Sequence, residues 1–262
     1  MTDVAFTHIG GPTVLIEIAG WNILTDPTFD PPGRTYSFGW GTSSRKLTGP
    51  ALSPTELPPI DAVLLTHDHH GDNLDTAGRA LLPSAGTILT TVSGARRLGG
   101  GAHGLRPGQT HRLEASGKPP IDITATPCRH GPPLSRTITG DVIGFALTWD
   151  GQTEGPLWIT GDTVHYPAVH RAAHSLRPGT VLLHLGAVRF PLTGPLHYTM
   201  NTRAALDLLD GLTPTTVIPI HYEGWQHFTE NREAITATLD QTPTSTHHFT
   251  WLTPGRAHQI QV

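Results

Sequence analysis

With 262 residues the chain can bury a large core, and residues 1–262 are expected to form one folded unit; only 15% charged residues beside 29 Gly and 24 Pro favour many short strands and turns over long solvated helices. A formal net charge of −4 and no Lys/Arg block give a nucleic-acid groove little electrostatic support, so the expected partner is a small-molecule substrate. One cysteine, Cys128, excludes an internal disulfide and any multi-cysteine metal site, and no apolar run approaches the ~18 residues of a membrane span or the pattern of a leader, which makes a cytoplasmic location without stable membrane association the expectation.

In chain order, residues 4–9, 12–18 and 21–25 read as three short strands of an antiparallel meander, with turns at Gly10-Gly11-Pro12 and Ala19-Gly20. Residues 31–41 read as a loop whose neighbouring aromatics, Phe29, Tyr36, Phe38 and Trp40, could line a pocket. The run Ala62-Val63-Leu64-Leu65 is a short buried strand that stops near Thr66. Beyond it a helix over 76–82, a strand over 87–91 and a short helix over 93–98 alternate. Residues 121–127 alternate apolar and polar like a half-buried strand. Strands follow over 141–150, 156–160, 181–186 and 217–220, then helices over 201–209 and 228–239, with closing strands over 248–252 and 257–262.

Four of these strands run into candidate ligands. Directly after the strand at 62–65, His67, Asp68, His69, His70, Asp72, Asn73 and Asp75 crowd into nine residues. Later strands lead to His130, Asp162 and His221. Imidazole and carboxylate at such spacing are what a borderline divalent cation requires, and loops at strand ends are where sites are built. Turn-forming Asp and Asn around Gly71 are the competing explanation for any one of these residues taken alone. Cys128 reads as a small core residue.

The order THDHHGDN, His130, Gly161-Asp162-Thr163 and Ile218-Pro219-Ile220-His221 resembles the metallo-β-lactamase fold superfamily. The opening GGPTVLIEIAGWNILTDPTF and the closing VIPIHYEGW are most similar to the branch containing ascorbate-phosphate lactonases and N-acyl-phosphatidylethanolamine phospholipase D. The resemblance implies an α/β fold, a four-layer αββα sandwich of two packed mixed sheets with outer helices, and a site along one edge of it. The family motif HxHxDH is altered here. Starting from His67 the second histidine is His69, whereas counting back from Asp72 it is His70, with Asp68 in the first place; a one-residue insertion reconciles the two. The motif's last histidine is Asn73, a poor zinc ligand. The resemblance further implies that His130 completes the first metal position, that Asp162 bridges both, and that His221 and Asp72 hold the second.

A divalent cation, zinc first with manganese or iron as alternatives, lowers the pKa of bound water and polarises the scissile oxygen. The expected activity is therefore metal-dependent hydrolysis of an ester-type bond, a lactone or a phosphodiester. Asp72 or Asp162 would orient the water, and His197 in Pro195-Leu196-His197-Tyr198 would serve the leaving oxygen. Arg189, Tyr222 and Glu223 are weaker candidates for substrate contact, and Arg45, Lys46, Arg129 and Arg136 for a phosphate. Two alternatives stand beside this one: a mononuclear enzyme of elimination or isomerisation, and a degenerate member that binds metal or ligand without turnover.

Overall fold

A computed structural model describes residues 2–242 and 247–262. Its first sheet takes β1 (Asp3–Gly10), β2 (Thr13–Ile18) and β3 (Trp21–Thr25), which pair antiparallel as a meander. A separate hairpin, β4 (Thr35–Gly39) and β5 (Thr42–Arg45), then leaves the sheet. The chain returns as β6 (Ala62–Leu64), β7 (Thr87–Thr91) and β8 (His103–Leu105), each parallel to its predecessor in the sheet order. The second sheet takes β9 (Thr110–Ala115), β10 (Lys118–Pro127) and β11 (Ile143–Trp149) antiparallel, then β12 (Leu157–Ile159), β13 (Thr180–His184) and β14 (Thr216–Ile220) parallel. Finally β15 (Ala257–Gln261) closes the outer edge of the first sheet against β1.

Period-two side-chain alternation explains the layering. Val14, Ile16, Ile23 and Leu64 of the first sheet meet Ile123, Phe145, Ile159, Leu182 and Ile218 of the second in one central core. The intervening residues face outward. On the second sheet Trp158, Val181, Leu183 and Val217 are covered by α4 (Pro167–Leu176), α5 (Thr202–Leu209) and α6 (Arg232–Asp240). On the first sheet Leu15, Leu24, Val63 and Leu65 are covered by Ala77 and Leu81 of α1 (Thr76–Leu81), and α2 (Val92–Leu98) packs on β7 and β8. The result is the expected αββα order. A short α3 (Arg136–Thr139) lies beside the hairpin.

Three expectations differ from the structure. Residues 31–41 are not all loop, because β4 and β5 pair and pack Phe38 against Phe190 and Trp225. The last helix starts at Arg232 rather than 228; Asn231 caps it by accepting from the Ala234 amide. Of 248–252, Phe249 makes one bridge to Val217 and no strand. Among the described residues no helix is long and apolar enough to cross a membrane.

Candidate metal centre

Parallel strands release their side chains at a common edge, and here the edges of both sheets meet. Asp26 follows β3, residues 67–75 follow β6, Asp162 follows β12, His184 ends β13 and His221 follows β14. Across the sandwich, His184 Nε2 lies 3.5 Å from Asp26 Oδ2 and His221 Nε2 lies 3.5 Å from Asp72 Oδ2. All of these side chains are buried. Asp75 is drawn away as the cap of α1, where it also accepts from Lys46 Nζ at 2.8 Å. Asp68 is likewise engaged elsewhere, gripped by the Arg97 guanidinium at 2.5 and 2.9 Å.

His67, His70 and His130 form an imidazole-rich half. The Tyr198 carbonyl can only accept, so His130 donates to it from Nδ1 (2.7 Å) and presents the lone pair of Nε2. Thr66 Oγ1 donates to Asp26 Oδ1 at 2.9 Å, which leaves its own lone pair for the Nδ1–H of His67 at 3.0 Å. His67 Nε2 is therefore also a lone pair. Both point at His70 Nδ1, at 3.1 Å from His67 and 3.2 Å from His130. One N–H on His70 can satisfy only one of them. His69 instead turns its Nε2 to the Thr139 carbonyl, although its ring remains near enough to form a further possible ligand set with His67 and His70, all within 4.8 Å.

Asp72, Asp162 and His221 form a carboxylate-rich half. Asp162 Oδ1 is 3.4 Å from His221 Nδ1, and its Oδ2 is 4.0 Å from His130 Nε2, so it faces both halves. Gly161 makes that placement possible: its φ of +66° is left-handed, and a Cβ there would meet the Ile143 carbonyl at 2.7 Å. His221 holds φ +58°, a strained value for a residue with a side chain, as is common where geometry serves a site. The hydrogen-bond surroundings orient Asn73 with its amide nitrogen toward the acids, donating to Asp72 Oδ1 at 3.2 Å and Asp162 Oδ2 at 3.3 Å. A further imidazole, His227, reaches Asp72 Oδ2 at 3.0 Å while its Nδ1 bonds Ser44 Oγ.

Burial sets the protonation states. It drives His67 and His70 well below the ordinary histidine pKa, helped by the neighbouring imidazoles, and His130 down to about 4. These three rings are neutral at pH 7. Burial also pushes Asp72 up, but the facing His221 imidazole and the hydrogen bond from His227 outweigh it and hold the carboxyl well below its usual range. For Asp162 burial wins and the pKa rises to about 6; for His221 burial is overcome by the Asp162 and Asp72 charges, and the pKa rises to about 9. The donor set is thus three neutral nitrogens beside acids.

Such a set fits a divalent cation. Eleven buried side-chain nitrogen and oxygen atoms lack a hydrogen-bond partner among the described residues, and six of them (on Asp26, His69, His70, Asp162, His184 and His221) lie in this cluster. Unpaired buried polar atoms are costly. Two ligand sets with atoms within 4.8 Å, His67/His130/Asp162 and Asp72/Asp162/His221, share Asp162.

The structure brings together His67, His69, His70, Asp72, His130, Asp162 and His221. His197 sits beside Tyr198, its Nδ1 buried and without a partner among the described residues. Cys128 donates to the Thr160 carbonyl at 3.0 Å, and burial keeps its thiol protonated. Two weaker expectations fail on packing: Lys46 is buried in its pair with Asp75, and Tyr222 stacks edge-on against Trp251 in the outer core. Of the aromatics, Phe38 and Trp40 line a cavity. Sequence reasoning missed His227, His184 and Asp26. The last two carried a signal, a polar residue closing an apolar parallel strand; His227, in the irregular Glu223-Gly224-Trp225-Gln226-His227, carried none.

The model of the family described as beta-lactamase superfamily domain matches residues 21–222. Among curated proteins, a UPF0173 metal-dependent hydrolase of Pyrococcus abyssi is 27% identical over 177 residues, which cover 66% of this chain and 71% of that protein. Among solved structures, an isothiocyanate hydrolase from Delia radicum gut bacteria superposes with a TM-score of 0.79 at 21% identity over 98% of this chain and 100% of that one. Igni18, a metallo hydrolase of the archaeon Ignicoccus hospitalis, superposes with a TM-score of 0.71 at 19% identity over 99% of each.

Proposed function

Because this chain belongs to the beta-lactamase superfamily domain family, we propose that it is a metal-dependent hydrolase whose buried cluster holds divalent cations and cleaves an ester-type bond, a lactone or a phosphodiester. The observation that carries this reading is the facing of three neutral imidazole nitrogens, on His67, His70 and His130, that cannot all be satisfied by one another. They hold the first cation, with His70 rather than His69 as the second histidine, and Asp72, Asp162 and His221 hold the second. Zinc suits this nitrogen and oxygen set, with manganese or iron as alternatives. The similarity of the chain's two ends to lactonase-type members supports the choice of bond.

Bound here, a divalent cation would supply Lewis acidity toward the substrate oxygen and acidify water. The protein's own groups do the rest. Asp72, held ionised by His221 and His227, orients the attacking water, and Asp162, whose pKa of about 6 lies nearer neutrality, is the carboxylate suited to take its proton. His197, with its unpartnered Nδ1, donates to the leaving oxygen. Burial of the cluster excludes competing solvent and strengthens these contacts.

The test is the metal content per chain of protein purified without chelators, for wild type, His130→Ala and His221→Ala, together with turnover of a lactone and phosphodiester panel. Two cations per chain, each variant losing mainly one, and turnover abolished in both are expected. No metal after zinc, iron and manganese are offered would sink the reading. A second reading is motivated by Asn73, which gives the carboxylate half an amide donor where the family motif has an imidazole: one cation, lost only in His130→Ala, serving an elimination or isomerisation.

A further inference from the structure

A cavity of about 340 Å³ opens onto His70 and His130, and we propose that it selects uncharged substrates carrying one compact apolar group, aromatic or branched, beside the scissile bond. This inference rests on the hydrolase reading and narrows its substrate. The walls are Phe38, Pro132, Ile138, Phe190 and Tyr198, and no lysine, arginine, aspartate or glutamate is among the described residues that line them. A charged group placed there has no side-chain counter-ion outside the metal cluster, which makes its desolvation costly.

The mouth carries the stronger argument. Trp40 on the β4–β5 turn is 74% exposed and Leu134, in the segment leading to α3, is 93% exposed. Both line this cavity, and both hold left-handed backbone, with φ of +49° and +71°. Such a conformation is unfavourable for a residue with a Cβ, and folding recovers nothing by burying either side chain. Leu196, a third exposed apolar residue, lines the same opening. Scattered exposed leucines are ordinary; several at the mouth of one apolar cavity mark a ligand's path. The volume lies near the lower end of the ~300–1,000 Å³ typical of small-molecule sites. That suits one ring or a branched chain better than a long acyl tail.

The nearby cations line an adjoining cavity of about 430 Å³, which shares His130, Ser135 and Thr139 with this one. There Arg136 pairs with Asp141 and the Arg129 guanidinium lies over the Tyr166 ring. Of the two bond types in the hydrolase reading, the neutral ester or lactone suits this apolar cavity, whereas an anionic phosphodiester would have to draw on the arginines of the adjoining one.

Two measurements on metal-loaded full-length protein test this. First, ligand-observed NMR compares binding of N-benzylacetamide and N-methylacetamide, neutral ester mimics, to wild type and to the Trp40→Ala/Leu134→Ser variant. Second, kcat/KM is measured for benzyl acetate, methyl acetate and bis(4-nitrophenyl) phosphate. Wild type should prefer the benzyl compounds by about 10- to 100-fold, and the variant should lose most of that preference while keeping its metal content, which reports that it folds. Equal binding of both amides, a preference untouched in the variant, or faster cleavage of the phosphodiester would overturn the inference. Benzyl-selective binding without cleavage of any ester would leave the inference standing and count against the ester reading instead.

Discussion

In one half of the cluster His67, His70 and His130 stand as neutral imidazoles, His67 and His130 held by outward hydrogen bonds to Thr66 and to the Tyr198 carbonyl, whereas in the other half Asp72, Asp162 and His221 are tied mainly to one another and to Asn73 and His227. The first half is pre-set by its supports at two of its rings, since the far nitrogens of His67 and His130 fix the tautomers that bare the near ones, while the far nitrogen of His70 has no partner among the described residues. The second depends on charge balance. Two acids lie beside one imidazole whose pKa they raise to about 9, and a neutral amide stands where the family motif has another imidazole. Hydrogen-bond donors, Asn73 and His227, take up lone pairs of the acids there.

Asp162 is shared by the His67/His130/Asp162 and Asp72/Asp162/His221 ligand sets and faces both halves, so its removal tests whether they are one site. Asp162→Ala is expected to lower cation content in both halves and to reduce turnover well beyond the ~10–100-fold that loss of a supporting residue costs, read by metal analysis and steady-state kinetics. Retention of full metal content would show that the two halves bind independently of it. His227→Ala comes next in size. With the Asp72 bond lost, affinity in the carboxylate half should fall ~10–100-fold while the imidazole half keeps its cation, as competition with a coloured chelator would report. Equal weakening of both halves would make His227 a packing residue of the aromatic layer around Phe38 and Phe190 rather than a support for Asp72.

Gly161→Ala asks how much of the difference is backbone. The new Cβ would press on the Ile143 carbonyl in a left-handed conformation, so the metal-free fold should lose about 1–2 kcal/mol, seen as a lower denaturant midpoint with unchanged slope. A midpoint equal to wild type would mean that the Asp162 turn relaxes freely.

The same contrast explains what was legible in the sequence. The imidazole half announces itself because two of its three histidines, His67 and His70, follow one buried strand, and the continuous apolar runs within 13–18, 62–65 and 217–220 mark strands buried on both faces. That these strands form two packed sheets with helical covers comes instead from the resemblance of the site motifs to the metallo-β-lactamase fold superfamily. The carboxylate half is assembled from places far apart in sequence, and its supporting residues show no local signal: His227 sits in an irregular segment that reaches Asp72 across 155 residues. The engagement of the His69 ring by the Thr139 carbonyl was equally closed to spacing arguments. The 35–45 hairpin escaped notice because Gly39 and Gly41 look like loop, while what fixes it is the burial of Phe38. α4 escaped because its apolar stripe, Val169, Ala173 and Leu176, is thin and Pro167 opens it.

Behind both halves lies the Asp26–His184 pair. Burial raises Asp26 to about 8 and lowers His184 to about 3, so between those values both are neutral. The hydrogen bonds agree. His184 donates from Nδ1 to Thr160 Oγ1 and presents a lone pair on Nε2 toward Asp26 Oδ2, where a protonated acid can donate. Asp26 binds its proton more tightly folded than unfolded, where its pKa is near 3.8; its contribution to stability is therefore complete below about pH 4 and is lost as pH rises through about 8. Asp26→Asn keeps a neutral donor there at every pH. Relative to wild type, the metal-free variant should gain stability steadily between pH 4 and pH 8 and no further above that, as urea midpoints at pH 4, 6 and 8 would show. A gap that does not change with pH would mean that Asp26 is ionised in the folded protein, and that the charge balance of the carboxylate half reaches further back than Asp162.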